Sequence, residues 1–101
     1  KAKNWNLKPS SVNDWITVDE EGVLTTILVI NNDTEEHTVR ARIVDDQNTL
    51  ITELLPVSEV VGEVTYKLSV SVITTNTDRK VQVMTSSTAV SFIGTGYVPD
   101  E

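Results

Sequence analysis

A chain of 101 residues is long enough to form one domain with its own core. With no cysteine it can build neither a disulfide framework nor a thiolate metal site or nucleophile. A net charge of −7 opposes phosphate backbones and argues against a nucleic-acid partner. No apolar run of about 18 residues is present to span a membrane.

The charge is unevenly spread. Lys1, Lys3 and Lys8 give the first eight residues +3, while the remainder sets five basic against 15 acidic side chains. Residues 1–11 (KAKNWNLKPSS) read as an extended basic N-terminal arm, and residues 12–101 as a β-sandwich domain. In an extended segment Trp5 and Leu7 point the same way. Such a Trp either anchors the arm on its own domain or inserts into a neighbour, since tryptophan is frequent at contact hot spots. A basic arm ahead of an acidic body suits an acidic docking surface, and a frayed terminus is the plain alternative. There is no signal-peptide pattern. The chain begins at Lys1 without an initiator Met, which leaves room for preceding residues.

Asp14–Val18 reads as a short strand and Asp19-Glu20-Glu21-Gly22 as a turn. Gly22–Gln47 then reads as a central hairpin. Val23–Asn31 is apolar on both faces, as in a strand covered on both sides in the middle of a sheet. A polar loop through Glu36 leads to Thr38–Val44, which alternates strictly: Val39, Ala41 and Ile43 face one way, Thr38, Arg40 and Arg42 the other. Asp45-Asp46-Gln47-Asn48 is a turn by composition, because Asp and Asn side chains bond nearby amides. Thr49–Leu55 is a strand stopped by Pro56, and Val57–Gly62 a connector. Glu63–Ile73 alternates with Val64, Tyr66, Leu68, Val70 and Val72 inward, and its length calls for a bend or a switch of sheets near Lys67–Ser69. Thr74–Asp78 is a polar turn, Arg79–Met84 a strand with Val81 and Val83 on one face, and Ser86-Ser87 the last turn. Ala89–Val98 closes the domain, with Gly94 and Gly96 marking a bulge or a close backbone approach. Pro99-Asp100-Glu101 is a tail. Seven or eight strands with turn signals about every 8–12 residues indicate an all-β antiparallel sandwich, Ig-like or jelly-roll.

Few constellations could carry chemistry. His37 is the only histidine. A Ser/His/Asp triad would need it, yet no nucleophile elbow or Gly-rich oxyanion loop accompanies it, so it reads as a solvated strand-end residue. The carboxylates of Asp19, Glu21, Asp45 and Asp46 would make a weak oxygen-ligand Ca²⁺ site if their loops converged, but no defined calcium spacing is present and solvated turns explain them as well. Paired carboxylates for glycoside hydrolysis lack the usual aromatic sugar platforms. Asn32-Asp33-Thr34 matches a glycosylation sequon, read as coincidence without a secretory signal. Arg40 and Arg42 share an outward face, where they would pair with carboxylates of a neighbouring strand or subunit or serve as ordinary polar residues. No cofactor is implied and no enzyme is expected.

The order of segments carries a resemblance. Thr17–Gly22 leads into Thr25–Asn32 (TTILVINN); Val39–Asp46 (VRARIVDD) and Leu50–Val57 (LITELLPV) follow; Val81–Ser87 (VQVMTSS) and Ala89–Val98 (AVSFIGTGYV) close the set. This resembles small β-sandwich structural proteins of tailed bacteriophages, with their "TVPAGKTAVVSSIVVCN" opening, "VRIVDxGG" strand, "LPVPANET" turn and "VRASTANVSFTASG" close. The resemblance runs from about Trp15 to Val98. The Pro-Ala-Gly-Lys turn is missing, as is an "NAGDxL" segment where this chain has Thr74–Asp78. The resemblance implies a virion component, assembled in the host cytoplasm, that decorates or cements the outer surface of the head. The alternative is an adhesin or receptor-binding module at the tail or collar. No catalytic residues carry over. The implied partner is the major capsid protein or another virion protein, with a homo-oligomer, such as a trimer on a lattice threefold, as the assembled form. Contacts are expected from Lys1, Lys3, Trp5, Leu7 and Lys8 of the arm, with Arg40 and Arg42.

Overall fold

A computed structural model describes residues 1–18, 22–63, 65–74 and 79–98. The turn expected at Asp19–Glu21, the inward Val64, most of the turn before Arg79 and the tail lie outside them. The described residues form β1 (Ala2–Leu7), β2 (Ile16–Val18), β3 (Gly22–Asn31), β4 (His37–Val44), β5 (Leu50–Val60), β6 (Thr65–Thr74), β7 (Lys80–Thr85) and β8 (Val90–Tyr97). All pairings are antiparallel. One sheet has the order β1-β8-β3-β6 and the other β2-β7-β4-β5. The chain therefore changes sheets at every connection except β4–β5. Two four-stranded sheets in this order make a jelly roll rather than an Ig-like sandwich.

That topology corrects the central hairpin. β3 pairs with β8 and β6, whereas β4 pairs with β7 and β5, so the two strands lie in opposite sheets. The hairpin of this region is β4–β5, closed by the Asp45–Asn48 turn, in which Asp45 Oδ1 accepts the amides of Gln47 and Thr49 at 2.9 Å each. Pro56 does not stop its strand. β5 is an edge strand, where a missing N–H costs no ladder bond, and it continues to Val60 with its register shifted between Val39 and Ala41 of β4. The basic arm is also absent as a separate feature, because Ala2–Leu7 is β1, paired residue for residue with Tyr97–Phe92 of β8.

The core follows from the alternation of each strand. Leu24, Ile27, Val29 and Phe92 project from one sheet, and Val39, Ala41, Ile43, Val81 and Val83 from the other. Leu24 and Ile27 are three residues apart and would face opposite ways in a regular strand. The register shift between Leu24 and Thr26 restores both to the inside. At that irregularity β8 runs so close to β3 that a Cβ on Gly96 would collide with the Val23 carbonyl. The close approach expected of the paired glycines is found there. β3 is central in its sheet, but its outer face, Val23, Leu28 and Ile30, is only half-buried. β6 keeps to one sheet throughout.

At the end of β3 the chain crosses to the other sheet, and the buried Asn31 side chain fastens the crossing. Its Nδ2 donates to Glu35 O at 2.9 Å and to Val60 O at 3.0 Å, and its Oδ1 accepts the Asp33 amide at 3.0 Å. Glu63 N donates to Asp33 O at 2.9 Å, so the β3–β4 loop and the β5–β6 turn are held together. Gly62 lies against the Thr34 carbonyl with no room for a Cβ.

Among the described residues Phe92 is the largest fully buried side chain, and it belongs to the core cluster to which both sheets contribute. Phe92→Ala is expected to cost about 3–5 kcal/mol in urea unfolding. A loss under about 1 kcal/mol would mean that the core is not assembled around it.

Candidate functional site

The outer face of the β2-β7-β4-β5 sheet carries a built polar layer. Thr17, Gln82, Arg42 and Glu53 are register neighbours across all four strands. Arg42 Nε donates to Gln82 Oε1 at 2.8 Å, and Gln82 Nε2 donates to Thr17 Oγ1 at 3.0 Å. One step along β4, Arg40 Nη2 donates to Glu53 Oε1 at 2.9 Å in a partly exposed ion pair. Both guanidinium groups lie against the half-buried Trp15, Arg42 at 3.8 Å and Arg40 at 5.0 Å from the ring centroid. The arginines expected at a partner surface are thus engaged within the chain. Sequence reasoning placed them on the correct face but missed Trp15. The face shared by Arg40 and Arg42 was readable, while the strand that brings a tryptophan to it depends on topology.

The remaining candidates divide along β1. Trp5 is 5% exposed and closes the core between the two sheets, with Leu7 packed against the same cluster. Of the two roles open to Trp5, the fold gives it the anchoring one. Lys3 Nζ sits 5.7 Å from the Trp5 ring centroid, and Lys1 and Lys8 are exposed at opposite ends of the strand. The Lys1 ammonium donates to Val98 O at 3.2 Å. These residues share one strand with neither Arg40 nor Arg42, which belong to the other sheet.

His37 is not solvated. It is half-buried, with Nε2 at 2.7 Å from Asp33 Oδ2. Hydrogen bonding to His37 is the main cause that holds the Asp33 carboxyl below its ordinary value of 3.8, with the Thr34 amide next. This stabilisation is present above that ordinary value and is lost as pH falls through the lowered one. Of the weak calcium candidates, Asp19 and Glu21 lie outside the described residues, and Asp45 is occupied as a turn cap. Among the described residues, no three His, Cys, Asp or Glu side chains come together.

A second feature was not legible from sequence. Along the side of the sandwich where β5 and β6 form the two sheet edges, a groove of about 280 Å³ runs between Val39, Leu55, Val60, Val61 and Tyr66, with Ser58 and Glu59 at its rim. Val61 is 62% and Tyr66 44% exposed. The opposite side is closed by Trp5, so the molecule has one sealed and one open flank. An open apolar groove with a carboxylate rim has the make-up of a binding surface.

No family model matches the chain, and no curated protein matches it. Among solved structures it is similar to a chain of the T13 IBDV viral particle, with a TM-score of 0.46 and 8% identity over 95% of this chain and 31% of that one. It is similar also to a chain in the structure of infectious bursal disease virus Gx strain, with a TM-score of 0.44 and 8% identity over 100% of this chain and 34% of that one. The chain spans about a third of the length of each.

At the groove's end a hydrogen bond to Glu59, and after it the charge of Glu59, raises the Glu36 carboxyl above its ordinary 4.5. A raised value favours the fold below 4.5, and that contribution is lost as pH rises through the folded value. Both groups are exposed, so the repulsion is weakened by solvent. Glu36→Gln should raise the melting temperature slightly at pH 7 and leave it unchanged below pH 4.5. A gain of equal size at both pH values would show that charge repulsion is not its source.

Proposed function

We infer that the chain is a non-enzymatic structural protein of a tailed-phage virion, with head decoration as its specific role: it binds the capsid lattice and stabilises it. The observation that carries this reading is the ordered resemblance across residues 15–98. Its segments fall on β3, β4, β5, β7 and β8, so the likeness follows the strands of both sheets rather than one local turn. The jelly-roll order is compatible with it, since viral capsid domains use that architecture; this support is fold-level analogy.

The mechanism is added contact area. Specific interfaces of this kind bury about 1,200–2,000 Å² in total, and repetition on a symmetric shell lets weak individual contacts act together. The partner is the major capsid protein or another virion protein, and the location is the outer surface of the head. β1 bears on how docking occurs. Releasing residues 1–8 as a free arm would break the β1–β8 ladder and withdraw Trp5 from the core. Docking therefore uses the folded body, with Lys1, Lys8 and the exposed loops as contacts.

The test is co-sedimentation of the purified protein with expanded capsids stripped of accessory proteins, alongside isolated tails and host cells. Saturable binding to heads, at a fixed ratio to the major capsid protein, is expected. Binding to tails or cells with heads left bare would overturn decoration in favour of the tail- or collar-associated adhesin.

A further inference from the structure

The outer face of the β1-β8-β3-β6 sheet has an apolar centre and a border without carboxylates. Alternation puts Val23, Leu28 and Ile30 of β3 and Ile93 and Tyr97 of β8 on it, along the two central strands. Asn4 and Asn6 of β1 border them on one side, and Thr65, Lys67 and Ser69 of β6 on the other. None of the chain's 15 acidic side chains belongs to any of these four strands. Among the described residues the charges of this face are cations at its border, Lys67 on β6 and Lys8 just past β1. A strand apolar on both faces calls for cover on both, and this fold covers only the inner face of β3. Val23, Leu28 and Ile30 stay half-buried, and Tyr97 is 47% exposed. An apolar centre within an uncharged polar border has the make-up of an interface core and rim.

Charge indicates what the cover is. A molecule of net charge −7 repels its own copies through most of its surface, and meets one at least cost where no carboxylate stands. A basic partner would find only lysines here. The registers then fix how two such faces stack. Asn6, Ile93, Leu28 and Lys67 form one row across the sheet, and Ala2, Tyr97 and Val23 another. With a two-fold axis along the strands, between β8 and β3, each row meets the same row reversed. Ile93 then lies over the copy's Leu28, Tyr97 over its Val23 and Asn6 over its Lys67, with the strand directions crossing at about 30°. An axis across the strands would set Lys67 against its own image, so charge selects the first arrangement. Four strands about 4.8 Å apart, of about eight residues at about 3.3 Å each, make a face of about 500 Å² per copy. Two copies bury about 1,000 Å², the lower limit for a specific interface, so the contact is weak and reversible.

We propose that the outer face of the β1-β8-β3-β6 sheet is the contact between two copies of this chain, packed sheet on sheet in an isologous dimer with Leu28 of each over Ile93 of the other. Any flat face admits a two-fold axis; the apolar centre and the absent carboxylates single out this one. The dimer does not depend on what the protein decorates.

Sedimentation velocity of the purified full chain over a concentration series tests it. The wild type is expected to dimerise reversibly. Tyr97→Asp, at an exposed position where the fold tolerates a charge, should raise the dissociation constant by about tenfold or more, since it sets a carboxylate against the copy's Val23. Leu28→Lys and Ile93→Asp should each do the same. Mixing those two variants should restore a dimer, because one Leu28–Ile93 contact is replaced by an ion pair and the other stays native. Unchanged circular dichroism spectra would confirm that the three variants fold. A wild type that stays monomeric across the series, or association indifferent to Tyr97→Asp, overturns the proposal. So does a mixture of the folded Leu28 and Ile93 variants that associates no better than either alone.

Discussion

The Asn31 carboxamide sits at the point where the chain leaves one sheet for the other, and the arrangement of both sheets meets there. It is 1% exposed, so its hydrogen bonds form without competition from water. Its two donors and one acceptor link the end of β3, the following loop and the end of β5. The loop follows β3 directly, whereas Val60 at the end of β5 lies in the opposite sheet, so the side chain bridges the two layers. The Glu63 amide and the tight approach of Gly62 to Thr34 tie the β5–β6 turn into the same knot. Glu63 takes a φ of 59° to make that turn, a conformation that costs a non-glycine residue about 1–2 kcal/mol and persists because its surroundings hold it.

From this junction follows the asymmetry of the molecule. Trp5 fills the flank between β1 and β2, where the two sheet edges are sealed over a large ring. The junction at Asn31 holds the ends of β5 and β6 together, but along their length those edges diverge around an apolar groove. The outer face of the second sheet is different again: Arg40, Arg42, Trp15, Gln82 and Glu53 contact one another there, although the buried Arg40 Nε has no hydrogen-bond partner among the described residues.

Much of the fold was legible, for reasons that particular residues make clear. Val39, Ala41 and Ile43 alternate with Thr38, Arg40 and Arg42, and a period of two survives any choice of neighbouring strand. Phe92 and the valines of β7 announced buried strands in the same way. Which strands pair was not legible. A polar loop of about six residues between β3 and β4 fits a hairpin as well as a crossing between sheets, and only the long-range contacts of Asn31 decide. Pro56 misled because a proline stops a central strand yet is tolerated at an edge, and edge position is a property of topology. The N-terminal segment misled through its lysines. Its alternation of Lys3, Trp5 and Leu7 against Asn4 and Asn6 was already that of an edge strand. For the site, the outward face of the arginines could be read, but their aromatic partner and the groove could not, because both are made by strands distant in sequence.

The stability of Asn31→Asp relative to wild type, measured by urea unfolding as a function of pH, tests the role of this junction most directly. The substitution keeps the shape and removes the amide donors, so at pH 7 a deficit of about 2–4 kcal/mol is expected, as a buried carboxylate would then face the carbonyls of Glu35 and Val60. The deficit should shrink on acidification, because a protonated carboxyl regains one donor. A variant as stable as wild type at pH 7, or a deficit that does not change with pH, would contradict a fold held together at Asn31.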